Sequence, residues 1–385
     1  MDFELSDEQL IFQRMIRDFV ATHIRPVARE WEHAGRYPDE IVEVMKVIGL
    51  FGLTIPEEYG GQGLDMVSLA IVFEEISKAW MGIAGIIGSH SLACLMIARH
   101  GTEEQKRRLL PELATGTRRT GIALTEPSGG SDLQGISTHA WRDGDHYVVR
   151  GTKMWITNAR HANPLPVLVK TDPDANPRHR GMSILLVEQG LPGYTVTRDL
   201  GKLGYKGPET CEVVLDDVRV PVDCLLGGIE GRGLQQALSA LECGRINIAA
   251  RAVGVAAEAT EAALRYTNER HAFGQPIAQF QAVQLKLADM ATSVQAARLM
   301  TYWAATKLDS GERADVETGM AKLFASETAV TCALDSMRLH GAYGYSTELD
   351  IERLYRDAPL MAIGEGTNDI LRTVIARGLS RQLEN

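Results

Sequence analysis

Hydrophobic spacing changes period twice along this chain, and that order limits the possible folds. Helical spacing runs from Ser6 to about Thr117, short β-prone runs replace it from about Arg118 to Leu226, and helical spacing then returns to the end. A doubly wound parallel sheet needs strands and helices to alternate throughout. That alternation is absent, so any nucleotide cofactor must be held in another way. The expected fold class is an α+β multidomain protein. It would have an N-terminal all-α domain over 1–117, a central antiparallel β-barrel or sandwich-like domain over 118–226, and a C-terminal four-helix-bundle-like domain over 227–385.

Local signals sharpen this outline. Ser6 and Gln9 have capping-box spacing, with Ile11, Met15 and Phe19 following on one face. Thr102 and Gln105 repeat the start signal after a stop at Gly101. The β-prone runs begin at His146, Pro166, Met182, Tyr194 and Cys211, and the Pro-rich Thr171–Gly181 segment reads as an exposed hairpin loop. Leu234 to about Asn268 is Ala-rich with almost no breaker, which predicts a long, largely buried helix. Gln279–Ser310 and Ala314–His340 predict two more.

Composition excludes some functions. The 385 residues are 45% hydrophobic and 23% charged, an ordinary globular profile. A net charge of −10 argues against general nucleic-acid binding, which needs a basic footprint to displace phosphate counterions. The uncharged stretch Ala79–Ala98 is interrupted by Gly82, Gly85, Gly88, Ser89 and His90. It is expected to be a buried helix pair broken in the middle, not a membrane span. Cys94, Cys211, Cys224, Cys243 and Cys332 have no metal or redox spacing, so no metal site is expected and the thiols read as small buried side chains. The acidic Met1-Asp-Phe-Glu-Leu5 start resembles neither a signal nor a transit peptide, which points to the cytoplasm.

Five segments could carry chemistry. Gly121–Asp132 joins a β-prone run to a turn rich in free backbone N–H groups and hydroxyls, able to cradle a phosphate or a heterocycle edge. In Gly151–Asn158, Trp155 and Thr157 would share one side of a strand, an indole to stack and a hydroxyl to bond. Asn268–Pro276 presents Arg270 and Phe273 at a helix end, and Leu339–Tyr345 is a glycine-spaced turn. In Ala362–Asp369, Glu365 lies between two glycines, a carboxylate with little cover of its own that could face a cleft. Burial there would raise its pKa, as suits a base that takes a carbon-bound proton. Each segment alone also fits ordinary structure: a turn, a core Trp, a helix stop, or a charge near a helix start.

Together, in this order, Leu124-Thr-Glu-Pro with Gly130-Ser-Asp, Trp155-Ile-Thr-Asn, Arg270-x-x-Phe-Gly and Glu365-Gly-Thr resemble the acyl-CoA dehydrogenase family over nearly the whole chain. The resemblance implies α,β-dehydrogenation of an acyl-CoA thioester, in the catabolism of fatty acids or branched-chain amino acids. It implies one FAD per subunit of a homotetramer built as a dimer of dimers, with electron-transfer flavoprotein as acceptor. Glu365 matches the catalytic base, and Gly244 the position where some relatives place it instead. Matched to the cofactor are Ile122, Leu124, Thr125, Gly130, Ser131, Trp155, Ile156, Thr157, Thr367 and Asp369. Arg270, Phe273, Phe280 and Gln281 match contacts to a neighbour's cofactor, and Arg338, Leu339, Gly341 and Ala342 a turn on the pyrophosphate. Ser131, Glu242, Arg245 and Gly366 match the acyl-CoA side. Gly364 stands where many relatives carry Tyr or Leu, which should open space beside the reacting carbons. The competing expectations are an acyl-CoA oxidase or flavin monooxygenase, an enzyme acting on a carrier-protein-bound acyl group, and a non-catalytic flavin-binding or DNA-protection protein.

Overall fold

The computed structural model describes residues 4–383, so Met1 to Phe3 of the acidic start lie outside the described residues. Five helices come first: α1 (Asp7–Phe19), α2 (Ala28–His33), α3 (Asp39–Val47), α4 (Met66–His100) and α5 (Glu103–Ala114). Both expected capping boxes form, Ser6 with Gln9 and Thr102 with Gln105, each satisfying two otherwise unpaired amides.

The strands are β1 (His139–Asp143), β2 (His146–Thr157), β3 (Leu165–Lys170), β4 (Met182–Val187), β5 (Tyr194–Asp199) and β6 (Thr210–Pro221). They form one sheet in the order β4-β3-β1-β2-β6-β5. Thr171–Gly181 is the β3–β4 hairpin connection. The sheet departs from the antiparallel expectation at one place, because β1 meets β3 in parallel through His139 and Lys170. β1 itself, the polar run His-Ala-Trp-Arg-Asp, was invisible as a strand. Its pairing with β2 holds it there, not its own propensity.

The C-terminal region holds α6 (Gly233–Glu269), α7 (Gln281–Asp309), α8 (Asp315–His340), α9 (Ile351–Ile363) and α10 (Asn368–Leu383). α6 lies at its centre, packed against α4, α7 and α8.

The expected mid-stretch break in Ala79–Ala98 is corrected. α4 breaks at Trp80 (φ −157°, ψ 100°), near the start of that stretch, where the indole donates to the Lys206 carbonyl at 3.1 Å. The helix runs unbroken through Gly82, Gly85 and Gly88, whose missing side chains admit neighbours instead: a Cβ on Gly85 would stand 1.9 Å from the Tyr205 hydroxyl. α4 is the one described helix long and apolar enough to cross a membrane, and 89% of its most apolar window is buried inside the protein. All five cysteines are buried and free.

α6 also packs tightly on α4 at Gly254, where a Cβ would sit 2.3 Å from the Glu74 carbonyl oxygen. Backbone cannot yield as a side-chain tip can. Gly254→Ala is therefore expected to destabilise the protein by about 1–3 kcal/mol, measured by chemical denaturation. An unchanged midpoint would show that the helices separate at no cost.

Candidate active site

Two of the sequence segments are brought together on the sheet. The Leu124 carbonyl accepts from Lys153 Nζ at 3.1 Å, and the Thr125 carbonyl from the Met154 N–H at 2.9 Å. This ties the Ile122–Ser131 loop to the Trp155 strand. A register shift in β2 between Lys153 and Ile156, with Trp155 at φ +65°, turns Ile156 inward and leaves Trp155 52% exposed. Thr157 is partly buried, and Gly130 and Ser131 are exposed. Beneath the loop, Glu126 is fully enclosed. It accepts from Ser137 N, Ser137 Oγ and Thr138 N and pairs with the buried Lys153 at 3.0 Å. Burial alone would raise this carboxyl, but Lys153 and those donors bring it down to about 2. Glu126 belongs to the Leu-Thr-Glu-Pro motif, yet it anchors the loop from inside and does not face a ligand.

The second cluster surrounds Glu365, in the turn between α9 and α10. Glu365 sits at φ +55° and Gly366 at +89°. For a residue with a Cβ this costs about 1–2 kcal/mol, so the turn is held by its surroundings. Lys322, fully buried on α8, donates to the Gly366 carbonyl at 2.8 Å and to Asn368 Oδ1 at 3.0 Å. Glu365 Oε2 is buried with no hydrogen-bond partner. A Cβ on Gly244 would stand 2.6 Å from that oxygen and 2.9 Å from Leu92 Cδ2, so the carboxylate points into the notch Gly244 leaves between α4 and α6. Burial raises the Glu365 pKa, against the pull of Arg251, Lys322 and Arg245. Arg245 is itself buried and donates to the Asp315 carbonyl, and Glu242 is half-buried one turn away on α6. Thr367 is partly buried, and Asp369 is exposed and paired with Arg372.

The remaining predicted residues form a third cluster elsewhere. Arg270, Gln281 and the Gly341–Ala342 turn are exposed, and Phe273 is 97% exposed, edge-on to Phe280. The stacking of Tyr266 on His340 puts the ends of α6 and α8, with Arg338 and Leu339, at this same end of the bundle. Gly244 and Arg270 are both set by α6, about 26 residues or 39 Å apart at 1.5 Å per residue. One chain cannot place Glu365 and Arg270 around the same isoalloxazine ring.

Sequence reasoning missed Lys322, Arg251 and Tyr205. Arg251 and Lys322 did leave a signal, each a lone cation within Ala-rich helix that reads as buried. Tyr205 left none. Its position follows from Asp357 Oδ1, which accepts the Tyr205 N–H at 2.6 Å across 152 residues of sequence.

The exposed indole, the uncovered Gly129–Ser131 backbone and the unpartnered Glu365 oxygen suit a flavin and substrate between them. No group of three His, Cys, Asp or Glu side chains among the described residues could hold a metal. The family models for the acyl-CoA dehydrogenase N-terminal, middle and C-terminal domains match residues 6–117, 121–218 and 231–380. The probable acyl-CoA dehydrogenase YngJ of Bacillus subtilis is 44% identical, over 98% of this chain and 100% of its own length. The structure of butyryl-CoA dehydrogenase from Megasphaera elsdenii superposes with a TM-score of 0.95 at 35% identity, over 98% and 100% of the two chains. A chain solved in work on the electron transferring flavoprotein of Acidaminococcus fermentans gives 0.95 at 37%, over 98% and 99%. The chain belongs to the acyl-CoA dehydrogenase family of FAD-dependent oxidoreductases.

Proposed function

We propose that Glu365 is the base that takes the α proton when this enzyme converts an acyl-CoA thioester to the trans-2-enoyl thioester. The carrying observation is the unpartnered, buried Glu365 oxygen aimed into the Gly244 notch among three cations. Burial keeps the carboxylate free of competing donors and basic. Arg251, Lys322 and Arg245 oppose the rise that burial causes and favour the ionised form. Bound FAD supplies the acceptor for the β hydride, a task no side chain performs.

Ile122, Leu124, Thr125, Gly130 and Ser131 would hold the flavin with Trp155, Ile156 and Thr157, and Thr367 and Asp369 would complete the contact. The Glu365 N–H, in its left-handed turn, would donate to the thioester carbonyl and stabilise the enolate that forms as the proton leaves. Gly366, Ser131, Glu242 and Arg245 would meet the acyl-CoA. Arg270, Phe273, Phe280, Gln281 and Arg338–Ala342 would serve the cofactor of a neighbouring subunit. The separation of about 39 Å along α6 supports a site that draws on a second chain, and the reading takes the assembly to be a homotetramer. The reading includes an electron-transfer flavoprotein as acceptor, a cytoplasmic location, and domains dividing at 1–117, 118–226 and 227–385.

A base must be ionised to act, so the raised Glu365 pKa fixes the sign of the pH effect. Anaerobic flavin bleaching by an acyl-CoA is expected to slow as pH falls, with its inflection above the ordinary carboxylate value of 4.5. A rate that stays flat down to that pH would remove Glu365 as the base.

A further inference from the structure

Two stripes of side chains run away from Glu365 between α4 and α6. On α6 they are Gly244, Asn247 and Arg251, spaced to share one face. On α4 they are Leu92, Gly88 and Gly85. The stripes meet at Gly244 and at Gly88, and Tyr205 enters at Gly85. The Gly244 notch faces Leu92, a Cβ on Gly88 would fall 2.2 Å from Asn247 Nδ2, and one on Gly85 would fall against the Tyr205 hydroxyl. The Arg251 guanidinium lies 5.1 Å from the Tyr205 ring centroid, and the Tyr205 hydroxyl interacts with both Thr157 and Arg251. Beyond Glu365 and Thr157, the face between α4 and α6 therefore carries Asn247, Tyr205 and Arg251 within about two helical turns, or 10 Å, of Gly244. All three are polar.

This wall carries unspent binding capacity. Arg251 is 5% exposed, forms no ion pair among the described residues, donates one hydrogen bond to Met81 Sδ, and leaves Nε without a partner. Asn247 is 3% exposed with Oδ1 unpartnered. The Arg251 charge acts on Glu365 but forms no ion pair with it, so the buried guanidinium is only partly compensated, and a plain alkyl chain would leave it so. A carboxylate at the end of the acyl chain would complete the compensation, accepting from Arg251 and from the Tyr205 hydroxyl, with Asn247 free to turn its NH₂ inward.

We infer that Arg251, with Tyr205 and Asn247, selects acyl thioesters whose short chain ends in a carboxylate. The inference rests on the dehydrogenase reading of the Glu365 site. The test compares single-turnover, anaerobic flavin bleaching by glutaryl-CoA and by pentanoyl-CoA, equal in carbon count and differing at the chain end. The FAD-loaded enzyme is expected to favour glutaryl-CoA by about 100-fold or more in the flavin-reduction rate constant divided by the apparent dissociation constant. Arg251→Met is expected to reverse the order, and Arg251→Lys to keep part of it. Each ratio is taken within one protein, so any effect of Arg251 on the basicity of Glu365 cancels. A wild-type preference for pentanoyl-CoA overturns the inference even if the variants fail to fold, as does a ratio that Arg251→Met leaves unchanged. In both cases bleaching by pentanoyl-CoA leaves the dehydrogenase reading standing. Bleaching by no acyl-CoA at all overturns both.

Discussion

Glu365→Gln is expected to slow flavin bleaching by about 10³- to 10⁴-fold, the scale of a lost, positioned base, while FAD content and acyl-CoA binding persist. The amide nearly matches the carboxylate in shape and keeps the backbone N–H, but it cannot accept the α proton. No neighbour replaces it. Glu242 lies on α6 beside Arg245, and Gly244 has no side chain. The geometry also determines which second change could restore activity. A side chain at position 244 would start 2.6 Å from the Glu365 oxygen, so a carboxylate can enter only if the present one leaves. Gly244→Glu is thus expected to recover part of the rate in a Glu365→Gly background and little of it with Gln at 365. Bleaching of Glu365→Gln within about tenfold of wild type would mean that another group is the base.

Lys153→Met is expected to be the most damaging change outside the Glu365 turn. It leaves the Glu126 carboxylate buried with no counter-charge, which costs about 3–5 kcal/mol, and it removes the bond that ties Leu124 to the strand. Equilibrium denaturation should show that loss, and the protein should purify depleted in FAD because the Ile122–Ser131 loop is no longer fixed. Adding Glu126→Gln should recover much of the stability, since the stranded charge is then gone. If Lys153→Met alone keeps both its denaturation midpoint and its flavin, the pair does not hold the loop.

The structure also explains why each part of the site was legible or not in the sequence. Ser6, Gln9, Thr102 and Gln105 announce their helix starts because capping depends on residues three apart. The ordered motifs around Thr125, Trp155, Phe273 and Glu365 marked where chemistry would lie. Local order could not say which of them meet. Trp155 and Leu124 come together through the Lys153 contacts, whereas Arg270 is carried to the far end of α6 by that helix's own length. The glycines of α4 show the same limit. In sequence Gly82, Gly85 and Gly88 look like breakers, and in the fold they are the places where Lys206, Tyr205 and Asn247 approach.

The sequence by itself determined the α, β, α order, the helix starts, the acidic character and the segment proposed to hold the base, because these depend on composition and on spacing within a few residues. Only the tertiary structure decided that Glu365 Oε2 would be unpartnered, that Lys322 would hold its turn and that Arg251 would lie near it without an ion pair. Burial and charge pairing depend on which distant elements pack together: Lys322 and Glu365 interact across 43 positions, and Gly244 and Glu365 across 121. Contacts of that range follow from packing α4, α6 and α8 around one core, and no local pattern of residues records them.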